Sequence, residues 1–146
     1  MAKPDLAFHF NAPSKVAYAC KLLRKATQAG ARVVVLAAPD VLARLDAELW
    51  TFSPLDFVAH VRAPCTTQVL TRTPVVLCEA LEQAAVAGYG VLVNLLPTVP
   101  DGFAQFDRVI EVVTQDDADR LSARARWKHY TELGYDITRH DLKLAA

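Results

Sequence analysis

A chain of 146 residues with 53% hydrophobic and 22% charged side chains suits one domain with a full core and leaves little room for disorder. Its 16 basic and 16 acidic residues cancel to a formal charge of +0, which argues against a protein that coats nucleic acid by bulk positive charge, so any nucleic-acid role has to be local or indirect. Cys20, Cys65 and Cys78 are odd in number with no CxxC, which fits reduced structural thiols better than a disulfide framework or a zinc site.

The start, MAKPDLAFHF, lacks the apolar core of a secretion signal, and no stretch approaches the ~20 apolar residues of a membrane helix. A cytoplasmic chain with no membrane contact is expected. Residues 1–146 show no linker and no internal repeat, so they read as a single domain.

Asp5 to Phe10 alternates with Leu6, Phe8 and Phe10 on one side and predicts a strand. Asn11-Ala12-Pro13 breaks it. Ser14 is then an N-cap, and the pattern Val16, Cys20, Leu23, Thr27 predicts a helix closed by Gly30. Arg32 to Ala37, RVVVLA, is a continuous apolar run, as in a parallel strand covered on both faces. Pro39 opens a second helix to Leu49, with Leu42, Leu45 and Leu49 inward.

Trp50, Phe52 and Phe57 make an aromatic cluster beside a possible short strand ending at Val61, either ordinary core or a partner-binding patch. Residues 63–73 read as loop. Pro74 to Cys78 and Gly90 to Leu96 read as strands, with a loop or short helix over 79–87. Residues 103–106 suggest a helical turn. Arg108 to Val113, RVIEVV, is a further strand, and the tail after Tyr135 reads as loosely held.

Thr114 to Tyr135 is the longest amphipathic stretch. Thr114 and Asp117 form a partial capping box, Asp116, Asp117 and Asp119 suit the positive end of the helix dipole, and Gly134 suits its C-terminus. At 100° per residue, Leu121, Ser122, Ala125, His129 and Leu133 gather within about 60° of Ala118, which predicts the buried stripe. Arg120, Arg124, Trp127 and Lys128 fall on the opposite side. Their cations stand four residues apart in a row of like charge, which invites an anionic partner or marks a solvated basic face.

Strands alternating with helices predict an α/β, Rossmann-like domain with a central, mostly parallel sheet flanked by helices. The first strand–helix turn, NAPSK, has no glycine for a dinucleotide phosphate, and no GxxxxGK[ST] occurs. Ser14, Ser53 and Ser122 sit in no nucleophile elbow, and the four histidines show no HxxxH spacing. No catalytic constellation, metal site or cofactor is expected, although a Cys–His pair meets in space and stays open.

Four stretches carry a resemblance: FHFNAPSKVAYACKLLRKATQAGARVVVLA; RLDAELWTF with FVAH after it; RVIEVV; and ARARWKHYTELGYDI. In order and spacing they resemble the chi subunit of bacterial DNA polymerase III, most specifically through LDxxLW…FVxH and ARxRWKxYxxxGY. The resemblance implies a non-catalytic adaptor of the clamp-loader complex. It would join the psi subunit to the acidic C-terminal tail of the single-stranded DNA-binding protein, and so meet DNA indirectly.

Carried onto this chain, the tail site uses Arg120, Arg124 and Lys128 as cations and Trp127, usually Tyr in better-known members, as an apolar wall, with Val113, Gly134 and Tyr135 nearby. Trp50 and Phe57 match the psi-facing segment. The alternatives are a small α/β nucleotide-binding domain or enzyme, and a direct binder of single-stranded DNA.

Overall fold

The computed structural model describes residues 4–51, 58–64, 69, 73–83 and 88–142, so Phe52, Phe57 and Cys65 lie outside the described residues. The described strands are β1 (Asp5–Ala12), β2 (Val33–Leu36), β3 (His60–Arg62), β4 (Val75–Cys78), β5 (Val91–Asn94), β6 (Arg108–Thr114) and β7 (Ile137–Asp141). They form one sheet in the order β3-β4-β2-β5-β6-β1-β7, and every pairing is parallel. The described α-helices are α1 (Lys15–Gln28), α2 (Pro39–Thr51) and α3 (Asp117–Glu132), with 3-10 turns at Leu81–Gln83 and Phe103–Gln105.

The expected α/β architecture is thus observed, and its physical basis is the central strands. All four residues of β2 and of β4 are buried, as a parallel sheet covered on both faces demands. The side-chain period of two divides them between two cores. Val33 and Val35 pack with Cys20, Leu23, Leu42 and Leu45 under α1 and α2, whereas Val34 and Leu36 join Phe8, Val109, Val113 and Tyr130 under α3.

Ser14 caps α1 by accepting from the Ala17 amide at 3.3 Å. At the other end Gly30 takes a φ of +86°, the left-handed conformation that stops a helix, and the Ala31 amide reaches back to the Ala26 carbonyl at 2.9 Å. The β1–β6 register shifts between His9 and Ala12, where Asn11 also adopts a positive φ, 68°.

One expectation fails at the C-terminus. Among the described residues after Tyr135, Ile137–Asp141 is not loosely held but pairs in parallel with β1, Leu6 against Ile137 through Phe10 against Asp141. Only Ile137 of the strand is partly buried. Its apolar signal is therefore too thin to read, and the hydrogen bonds offered by the β1 edge supply what the side chains do not. Charged residues on such a terminal strand also discourage pairing with another chain.

Candidate functional site

Helix α3 starts two residues later than the predicted capping box places it. Asp116, not Thr114, is the N-cap, and its carboxylate accepts from the Asp119 amide at 3.2 Å. Thr114 ends β6, and its amide and hydroxyl both donate to Asp119 Oδ2, at 2.7 and 2.9 Å. Asp119 also pairs with Lys15 of α1 at 2.8 Å. Burial raises the Asp119 carboxyl pKa, but the Lys15 ammonium and the Thr114 amide outweigh it and hold the group below its ordinary value. At the far end Gly134 has φ +90°, and the Tyr135 amide donates to the Tyr130 carbonyl at 3.1 Å, closing the helix as Gly30 closes α1.

The predicted inner stripe is wrong by about a third of a turn. Leu121 is 68% and Leu133 49% exposed, and His129 and Ala125 also face solvent. The residues facing the sheet are Ala123, Arg126 and Tyr130. The cause lies on β6. Glu111 occupies the period-two position between Val109 and Val113, so it points into the core under α3 and is fully buried. An unpaired buried carboxylate is costly, so the helix turns its one matching face inward.

Arg126 Nε donates to Glu111 Oε1 at 3.0 Å, and Tyr130 and Asn94 donate to Oε2 at 2.7 and 2.9 Å. Arg126 Nη1 reaches Ser122 Oγ at 2.7 Å, and that hydroxyl donates on to the Pro97 carbonyl at 2.9 Å. Burial pushes the Glu111 carboxyl upward, against the downward pull of Arg126, Asn94 and Tyr130.

This docking decides what α3 leaves outside. A cleft of about 350 Å³ is lined by Phe10, Arg120, Ala123, Arg124, Trp127 and Arg139. Its floor is aromatic: the half-buried Trp127 lies 5.1 Å from the Phe8 ring and 6.0 Å from the Phe10 ring, centroid to centroid. Arg139 of β7 sits 4.2 Å over the Phe10 ring and is held by a two-pronged pair to Asp141, at 2.9 and 3.0 Å. Arg120 and Arg124 are exposed and have no ion-pair partner among the described residues. The cleft offers two available guanidinium groups, a third already neutralised in part, and a flat apolar wall.

Arg120, Arg124 and Trp127 are therefore brought together. Lys128 stands further round the helix, exposed and 3.9 Å from Glu132. Val113 is fully buried in the core beneath α3, Gly134 forms the exposed helix end, and Tyr135 packs on Phe103 at 5.3 Å; none of the three lines the cleft.

Trp50 is 63% exposed near the end of α2, its ring edge-on to His60 at 5.3 Å. His60 in turn meets Asp46 at 2.8 Å and the Val58 carbonyl at 2.7 Å, so the Asp and His of LDxxLW…FVxH tie α2 to β3. Trp50 and Trp127 lie on helices that cover opposite faces of the sheet, near opposite edges. Phe10 and Arg139 line the cleft without being marked as site residues by helical spacing or motif. Phe10 could have been found from its shared face with Phe8, whereas Arg139 depends on the pairing of β7.

Residues 4–138 match the family model described as DNA polymerase III chi subunit, HolC. The DNA polymerase III subunit chi of Pseudomonas aeruginosa is 30% identical over 130 residues, 88% of this chain and 87% of that protein. The subunit chi of Haemophilus influenzae is 28% identical over 121 residues, 82% of each.

Among solved structures, S. cerevisiae Dbp5 bound to RNA and ADP BeF3 superposes with a TM-score of 0.66 at 15% identity. That match covers 96% of this chain and 42% of Dbp5. The C-terminal domain of the DEAD-box protein Dbp5 gives 0.59 at 13% identity, over 95% and 91%. At such identities the likeness is one of fold alone. The chain belongs to the DNA polymerase III chi subunit family, and with it to the accessory machinery of DNA replication.

Proposed function

We propose that this chain is a non-catalytic, cytoplasmic accessory subunit of DNA polymerase III that bridges the psi subunit and the acidic C-terminal tail of the single-stranded DNA-binding protein, touching DNA only indirectly. The observation that carries the reading is the cleft in which Arg120 and Arg124, without ion-pair partners among the described residues, flank the Trp127–Phe10 floor. A guanidinium presents a planar fork of donors that matches a carboxylate, and an apolar last side chain can lie against the aromatic wall.

Lys128 extends the positive row as a point charge for acidic residues further back. Gly134 and Tyr135 hold the end of the helix in place, and Val113 supports it from below. Trp50 would face psi on the other side of the sheet, and Phe57, outside the described residues, is the second residue assigned to that contact. This arrangement lets both partners bind without competing for surface.

The test is calorimetric titration of a peptide of that tail, as free acid and as amide, against the wild-type chain and Arg124→Ala. The free acid should bind more tightly than the amide, and Arg124→Ala should cost about 1–2 kcal/mol and flatten the fall of affinity with salt. Equal binding of both peptides by both proteins rules the reading out. An oligothymidylate that binds as well as the peptide, and is displaced by it, would favour direct DNA contact at the same cleft.

A further inference from the structure

On the α1 face of the sheet lies a second cavity, of about 520 Å³, separate from the α3 cleft. Its rim carries Lys21, Lys25, Arg108 and His140, and no carboxylate lines it. None of the three permanent cations has an ion-pair partner among the described residues. In a chain of zero net charge this is a local excess of positive charge on the cavity rim.

The charges converge: burial first, then His140, Arg108 and Lys25, depress the pKa of His9 to about 4. His9 is buried and lines the cavity. Its Nδ1 meets the Tyr18 hydroxyl, and its Nε2 has no hydrogen-bond partner among the described residues. The walls between these groups are apolar, from Leu22, Val91, Ile110 and Leu142, and the His140 ring stands 4.7 Å from that of His9.

We infer that this cavity binds a phosphate monoester that carries a flat apolar body, the chemistry of a nucleoside monophosphate. Three cations on the rim of one cavity suit a single dianionic group better than the spaced carboxylates of an extended peptide, which spread at about 3.3 Å per residue. The volume falls within the range of about 300–1,000 Å³ typical of small-ligand sites, and the imidazole and apolar walls suit a stacked base. The shared chemistry has two sources, a free nucleotide or the phosphorylated end of a single strand. Its lining runs along the sheet face from Val91 and Arg108, the first residues of β5 and β6, to His140 and Leu142 at the end of β7.

The experiment titrates the full chain with thymidine 5′-monophosphate and with inorganic phosphate, read by NMR at the His9, Lys25 and His140 resonances and by calorimetry. The nucleotide should shift those resonances and bind at least about threefold more tightly than phosphate. Lys25→Gln/Arg108→Gln should weaken it about tenfold, and Arg124→Gln should leave it unchanged. Those replaced side chains are exposed, and Lys21→Gln provides a second, independent variant.

Unshifted resonances, undiminished binding by both variants, or phosphate binding as tightly as the nucleotide would overturn the inference. A 5′-phosphorylated oligothymidylate that outbinds the mononucleotide identifies a strand end as the source, and the reverse order a free nucleotide. The tail peptide at Trp127 is read at different resonances, so the two sites stand or fall separately.

Discussion

Arg124 and Arg126 stand two residues apart on α3 and face opposite environments. Arg126 is sealed against Glu111, whereas Arg124 opens into the cleft. Removing one partner of a buried pair strands a charge, so Arg126→Met should destabilise the fold by about 3–5 kcal/mol. Most of that loss should return in Arg126→Met/Glu111→Leu, which takes out both charges. Urea midpoints of the two variants decide it, and a double variant no better than the single one would show that the pair is not the source of the loss. Leu121→Ser, by contrast, should move the midpoint by less than about 0.5 kcal/mol, because Leu121 faces solvent despite its place in the predicted stripe. Amphipathic spacing places Leu121 inside; the buried acid on the strand beneath overrides it.

At the scale of the element, β1, α1, β2, β4, β5 and β6 are all legible from apolar runs and period, and the structure moves their ends by only a residue or two. Ser14 and Gly30 mark the ends of α1 as their chemistry predicts. The C-terminal end of α3 rests on Gly134, whose φ of +90° is strained for any residue with a Cβ. Gly134→Ala should therefore cost about 1 kcal/mol, measured as a lowered melting temperature. The peptide affinity should hardly change, since Gly134 supports the helix end and does not line the cleft. The start of α3 and the whole of β7 are less legible: Asp116 outcompetes Thr114 as cap because β6 keeps Thr114 in the sheet, and β7 owes its existence to an edge contributed by residues more than a hundred positions earlier.

Across the whole molecule, Lys15 and Asp119 clasp the starts of α1 and α3, helices that cover opposite faces of one sheet. Asp119 and His9 both titrate below their ordinary values. At these two groups the unfolded chain takes up protons first, so their contribution to stability is lost as the pH drops, whereas Glu111, whose carboxyl is raised, acts in the opposite sense in acid. The loss begins below about pH 6.5, where an unfolded imidazole charges while His9 stays neutral down to about 4. The His9 part is on the order of 3 kcal/mol, and Asp119 adds to it in the more acid range. Urea midpoints between pH 7.5 and 4 should track this fall, and His9→Gln should flatten its upper part. A wild-type curve as flat as that of the variant would contradict the assignment.

The alternation of strands and helices, the parallel sheet and the membership in a family are legible along the linear chain, because apolar period, turn chemistry and motif spacing are local properties. Helical spacing likewise puts Arg120, Arg124 and Trp127 on a shared side of one helix. Which side of that helix is inside depends on Glu111 arriving from another strand, and the pairing of β7 with β1 brings Arg139 over Phe10 to complete the cleft. Those contacts join residues far apart in the chain, and no local pattern encodes a partner's position.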